Sequence, residues 1–172
     1  MALYRTENIA IGPGMIRQVT VTSASEFCGL TKESIVGLKY RNERRNAREL
    51  ASLLVPLVPE QVDVVTWAPT AENRRMRRGI DHAELIARHV SASCGIPCRR
   101  LLRRLGSTQQ TGRDAATRRH GPEFVASRAC EGLSVLVVDD VITTGATLVS
   151  AFAAVLQAGA REVHGLTVAA VP

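Results

Sequence analysis

The chain is poor in lysine, in aromatic residues and in long apolar runs, and each shortage removes a class of function. Lys32 and Lys39 are the only lysines among 172 residues, so the net charge of +6 is carried almost wholly by arginine. Aromatic residues make up 3%, which leaves few platforms on which the bases of a nucleic-acid single strand could stack. No apolar run approaches the roughly 20 residues that a membrane span requires. The opening MALYRTENIA carries Arg5 and Glu7 where a secretory signal needs its apolar stretch. A cytoplasmic protein with no membrane partner is expected. The four cysteines, Cys28, Cys94, Cys98 and Cys130, form no paired C-x-x-C units. Cys94 and Cys98 lie close to His89 in sequence, but no convincing fourth ligand accompanies them, so free thiols are expected. Internal repeats and low-complexity segments are also lacking.

What is present is enough apolar sequence, 45% of the chain, to bury the core of one ordinary domain. The other dominant feature is arginine. Twelve arginines fall between Arg74 and Arg119, opposed there only by Asp81, Glu84 and Asp114. Such a stretch invites an anionic partner, and the planar guanidinium favours two-pronged contact with phosphate. A small phosphorylated ligand fits the low aromatic content better than nucleic acid does, though nucleic acid stands as an alternative partner.

Hydrophobic spacing predicts the elements. A strand is expected at Gln18–Ser23, after a turn at Gly12-Pro13-Gly14, and helices at Thr31–Tyr40 and Glu43–Val55. Gln61–Trp67 reads as a buried strand. A helix follows from Asp81, with Glu84 at the capping-box spacing and Gly95 and Pro97 at its end. Pro97–Leu102 is a candidate second strand, and Gly106–Pro122 a long polar loop. Leu133–Val138 is the strongest strand, followed by a helix over Ala146–Ala158, with Gly159 as its cap, and a last strand at Glu162–Val171. Alternating strands and helices imply an α/β fold, a parallel twisted sheet flanked by helices. Residues 1–60 are expected to form a small N-terminal strand and helical hood, and 61–172 the core. Ligands of such sheets bind at the carboxyl ends of the strands.

The segment Leu133–Phe152, LSVLVVDDVITTGATLVSAF, draws most attention. An apolar strand meets two adjacent carboxylates, Asp139 and Asp140, which are costly to bury without partners. They can accept hydrogen bonds from sugar hydroxyls or hold water on a metal. Thr143, Thr144, Gly145, Ala146 and Thr147 then lead into a helix. Small residues let backbone N–H groups turn toward an anion, threonine hydroxyls add donors, and the helix N-terminus adds a favourable dipole.

This segment resembles the 5-phosphoribosyl-1-pyrophosphate (PRPP) motif of type I phosphoribosyltransferases. Ile35–Asn42 (IVGLKYRN), Trp67–Ala87 and Leu101–Arg104 are similar to the ComF-type branch, so the resemblance spans about Ile35 to Ala170. It implies a type I phosphoribosyltransferase-like fold and an enzyme that displaces pyrophosphate from PRPP with a nitrogen acceptor. It implies that Asp139 and Asp140 contact the ribose hydroxyls as catalytic residues and hold Mg²⁺ through water or ribose. Thr143 to Thr147 would cradle the 5′-phosphate. Ala68, Pro69, Thr70, Arg74 and Arg78 would receive pyrophosphate, and Gln109, Arg113, Arg118 and Arg119 would lie on a flexible lid. The expected partners are PRPP and an unidentified acceptor, with a homodimer as one assembly.

The chain departs from the family's pattern at several points. It lacks the four-cysteine zinc module, it has Arg78-Gly79-Ile80-Asp81-His82 in place of Arg-Gly-Phe-Asn-Gln, and it has no asparagine near Arg118-Arg119. Thr143 stands where 6-oxopurine enzymes place an aspartate, which argues against a hypoxanthine–guanine enzyme. The family's association with competence and DNA uptake makes a non-catalytic PRPP- or nucleotide-binding module the alternative.

Overall fold

The computed structural model describes residues 2–41, 43–70, 81–105 and 122–172. Along it run β1 (Leu3–Gly12), β2 (Met15–Glu26), α1 (Gly29–Tyr40), α2 (Arg45–Leu54), β3 (Val64–Trp67), α3 (His82–Cys94), β4 (Leu102–Arg104), β5 (Phe124–Ala126), β6 (Ser134–Ile142), α4 (Ala146–Gln157) and β7 (Glu162–Ala170). Five strands form one sheet in the order β1-β2-β7-β6-β3. Every neighbouring pair is parallel except β1 with β2. β4 and β5 form a separate antiparallel pair.

Strands covered on both faces must be apolar on both, which is why the Val135–Val138 part of β6 reads as an unbroken apolar run. Successive side chains point to opposite faces. Val135 and Val137 pack into one cluster with Leu148, Phe152 and Val155 of α4. Leu136 and Val138 join the other, with Ile35 and Leu38 of α1, Leu50 and Leu54 of α2, and Ile86 and Val90 of α3. Each such buried side chain contributes about 1.5–3 kcal/mol. Gly165 of β7 is needed by this packing, because a Cβ there would lie 2.6 Å from Phe152 Cζ.

The structure departs from the sequence expectations at four places. The strand expected at Gln18–Ser23 is present but is only the middle of a longer one, β2, which pairs with β1, a strand the sequence reading did not expect, in a hairpin closed near Gly14 (φ +70°). Pro97–Leu102 is not a strand; it makes only an isolated bridge between Val65 and Cys98 before β4 begins at Leu102. The Asp81 side chain does not cap α3; its Oδ2 accepts from the Thr70 N–H at 2.9 Å instead. Finally, β6 continues through Asp139 and Asp140 to Ile142, held by β7 as far as the Ile142–Ala170 pair.

The last point shapes the site. β3 stops at Trp67, opposite Val138, and the Ala68 N–H closes that pairing on the Val138 carbonyl at 3.1 Å. Beyond it β6 has lost its neighbour on one side, so the two carboxylates stand on a step at the carboxyl edge of the sheet. Among the described residues no helix is long and apolar enough to cross a membrane.

Candidate active site at the carboxyl edge of the sheet

Strand alternation sends Asp139 and Asp140 to opposite faces. Asp140 turns toward the α1–α3 side, where Lys39 Nζ of α1 donates to its Oδ1 at 2.9 Å. Both partners are mostly covered, with side-chain exposures of 22% and 14%, so water screens this pair less than a surface one. On the same helix Gly37 lies close against the segment leading into α2, where a Cβ would clash with the Glu43 carboxylate. Glu43 and Asn46 fill that junction, and Asn46 Nδ2 also donates to the Ser34 carbonyl.

Asp139 faces the α4 side, in register with Thr167 of β7, which is in turn in register with Ser23 of β2. The Ser23 and Thr167 hydroxyls bond each other at 2.7 Å, so a polar row crosses an otherwise apolar face. Asp139 Oδ1 accepts from the Asp140 N–H at 2.8 Å. Burial first, then the adjacent Asp140 charge, pushes the Asp139 carboxyl well above the ordinary range; the Asp140 N–H and Lys39 oppose this in part. Asp81 is a third carboxyl in this field. It is 4% exposed; burial raises its pKa against the nearby Thr70 and Glu84 N–H groups, and the Glu84 and Asp140 charges add to the rise. Among the described residues its buried Oδ1 has no hydrogen-bond partner.

Past Ile142 the chain turns over the sheet edge. Thr143 and Thr144 are exposed and Gly145 is buried. Gly145 takes φ +82° at the head of α4, a conformation that side-chain-bearing residues rarely adopt. The Thr144 hydroxyl accepts from the Ala146 N–H at 3.4 Å, and the Gly145 carbonyl accepts the first helical bond, from Val149 N at 2.9 Å. From β1, Arg5 reaches the same turn. Its Nη1 and Nη2 donate to the Thr143 and Thr144 carbonyls at 3.3 and 3.2 Å, while its Nε pairs with Glu7.

The structure therefore brings Asp139, Asp140, the turn Thr143–Thr147 and the segment Ala68–Thr70 to one edge. Arg74, Arg78, Gln109, Arg113, Arg118, Arg119 and the Gly106–Pro122 loop up to residue 121 lie outside the described residues. Sequence reading missed Lys39 and Arg5. Lys39 had one signal available, as one of two lysines in a chain whose basic residues are otherwise arginine. Cys94 and Cys98 are partly covered, and burial raises both thiols; among the described residues no group of three His, Cys, Asp or Glu side chains could hold a metal ion.

An α/β sheet with paired carboxylates and a glycine-containing turn at its carboxyl edge defines the class. The chain belongs to the phosphoribosyl transferase domain family, whose model matches residues 76–172, more than half of the chain. It is 27% identical over 144 residues to the competence protein ComFC of Bacillus subtilis (strain 168), a match covering 80% of this chain but 58% of that protein. It thus spans less than two thirds of that relative. Two solved structures are similar in fold: an allosteric regulatory enzyme of purine biosynthesis (27% identity, TM-score 0.51) and the Bacillus subtilis glutamine PRPP amidotransferase complexed with ADP and GMP (25% identity, TM-score 0.52). Each match covers 70% of this chain and 25% of the other. These findings agree with the ComF-type resemblance and with the type I phosphoribosyltransferase fold.

Proposed function

We propose that this protein binds PRPP with Mg²⁺ and transfers its phosphoribosyl group to a nitrogen acceptor, releasing pyrophosphate. One observation carries the reading: two adjacent carboxylates and an anion-ready turn occupy one edge, on a single strand-to-helix segment. In this reading Asp139 and Asp140 accept hydrogen bonds from the ribose hydroxyls, and Thr143–Thr147 take the 5′-phosphate with backbone N–H groups and hydroxyls. Ala68, Pro69 and Thr70, with Arg74 and Arg78, receive the pyrophosphate. Gln109, Arg113, Arg118 and Arg119 form a lid that excludes water while positive charge develops on the ribose.

The residues at hand suit Mg²⁺. Asp139, Asp140 and the unpartnered Asp81 Oδ1 are hard oxygen donors, but they form no complete protein cage among the described residues. In this reading one or two of these carboxylates would hold the cation, with water and substrate oxygens supplying the rest. Bound there, it would neutralise pyrophosphate charge. Lys39 holds the Asp140 carboxyl in place by its Oδ1, which leaves Oδ2 to accept from a ribose hydroxyl.

A second reading, ligand binding without turnover, draws on one contact: the Thr70 N–H, in the segment assigned to pyrophosphate, is already taken by Asp81. A coupled assay for pyrophosphate release from PRPP across a panel of nitrogen acceptors separates the two. Release that Asp140→Ala abolishes supports the transferase. A Mg²⁺-dependent thermal shift with PRPP but no release with any acceptor supports the binding module. No shift at millimolar PRPP overturns both.

A further inference from the structure

The N-terminal hairpin is built into the turn assigned to the 5′-phosphate, and the contact has a direction. The Arg5 guanidinium takes two successive carbonyls, those of Thr143 and Thr144, on two of its nitrogens. In a planar trans peptide the C=O and N–H point opposite ways, and the described chain contains no cis bond. Holding both carbonyl oxygens on one guanidinium therefore turns the Thr144 and Gly145 N–H groups to the opposite side of the turn. No hydrogen-bond partner among the described residues takes either N–H. Glu7 fixes the guanidinium from the other flank and presses against the turn as well. A Cβ on Gly145 would lie 2.9 Å from Glu7 Oε1 and 3.5 Å from Arg5 Nη2.

We propose that Arg5, braced by Glu7, is a positioning residue for phosphate binding. It sets the two N–H groups toward the anion without touching the anion itself. The inference rests on the PRPP reading above and adds to it that β1, remote in sequence from the motif, tunes the affinity of the motif's phosphate arm. Arg5 acts by orientation and by polarising the two peptides it holds. A lysine at the same place offers one point of charge rather than a fork, so it cannot hold both carbonyls in one plane.

The test titrates wild type, Arg5→Ala and Arg5→Lys with ribose 5-phosphate and, separately, with Mg²⁺-pyrophosphate, by calorimetry. The Arg5 side chain is 48% exposed, so its removal opens no core cavity, and the melting temperature of each variant checks this directly. Arg5→Ala is expected to weaken ribose 5-phosphate by about tenfold, the size of one charge-assisted hydrogen-bond arrangement, and to leave pyrophosphate unchanged. Arg5→Lys should recover only part of the loss. In wild type, addition of inorganic phosphate should move the Thr144 and Gly145 amide resonances, and Arg5→Ala should blunt that movement. Equal loss of both ligands means that Arg5 serves the fold alone and overturns the proposal, as does unchanged ribose 5-phosphate affinity. If wild type binds neither ligand, the PRPP reading itself fails, and the inference falls with it.

Discussion

Carboxylates at the two ends of the parallel sheet are handled in opposite ways. At the amino end, Asp63 precedes β3 and gives one oxygen, Oδ2, to two partners: the Ser134 N–H at 2.8 Å and Arg161 at 3.1 Å. It is accessible, well supplied with donors, and ties the start of β3 to the start of β6. At the carboxyl end, Asp139, Asp140 and Asp81 crowd together under cover, and among the described residues Lys39 is paired with Asp140 and also acts on Asp139. A carboxylate used for architecture is given donors and left in water. Carboxylates held close to one another, partly desolvated and only partly compensated, are in a state that a ligand's hydroxyls or a cation can relieve. Perturbed groups of this kind concentrate at functional sites.

The largest expected difference is in ligand binding. Asp139→Ala/Asp140→Ala should reduce PRPP affinity by roughly 100-fold or more, since two acceptors are lost from charge-assisted bonds. Asp63→Ala should cost about 1–2 kcal/mol of stability with affinity unchanged, and calorimetry beside urea denaturation reads both. Equal effects on affinity would erase the distinction between the two ends.

Next in size is Lys39→Met. It removes the cation paired with Asp140 and felt by Asp139 and should cost about 1–3 kcal/mol at neutral pH, between the values for exposed and buried pairs. Urea titrations of wild type and variant at neutral pH measure it.

Two glycines give a matched pair. Gly132, at the amino end, has φ +72° with nothing within 4 Å of where a Cβ would stand, whereas Gly145 has φ +82° and meets Glu7. Gly132→Ala should cost only the left-handed backbone term of about 1–2 kcal/mol. Gly145→Ala should cost more in melting temperature and should also weaken phosphate binding.

The smallest effect concerns Asp139→Asn. Because the folded-state pKa of Asp139 is raised, its favourable contribution is complete below the ordinary value of 3.8 and is lost as pH climbs through the folded value. The asparagine variant should therefore melt higher at neutral pH, by roughly 2–4 °C for each kcal/mol of relieved repulsion. That advantage should vanish toward pH 4 and below. A constant advantage at all pH values would place its origin in packing instead.

The α/β class was readable because two-faced burial writes itself as strands that are mostly apolar on both faces, Val64–Trp67 and Val135–Val138, between helices with one apolar side. β1 was not, because it is an edge strand whose buried content reduces to Ile9, so it carries no strong alternation. β6 looked shorter than it is because carboxylates usually mark a strand's end; here backbone pairing to β7 carries the strand past them. The Asp139–Thr147 segment stands out because contiguous residues carry all of it. Lys39 and Arg5 act across separations of 101 and 138 residues, and no local pattern records a contact made only by the tertiary fold.

The place of β7 also governs when the molecule can be completed. β7 inserts between β6 and β2, so that Val21 pairs with Gly165. Until it is synthesised, the N-terminal hairpin has no parallel partner, and a lone hairpin is at best marginally stable in water. Non-local pairing of this kind slows folding and leaves strand edges open to other chains meanwhile. Ribosome-stalled chains ending before Glu162 should therefore keep β2 protease-sensitive, and chains that include β7 and have left the exit tunnel should protect β2 and β6 together.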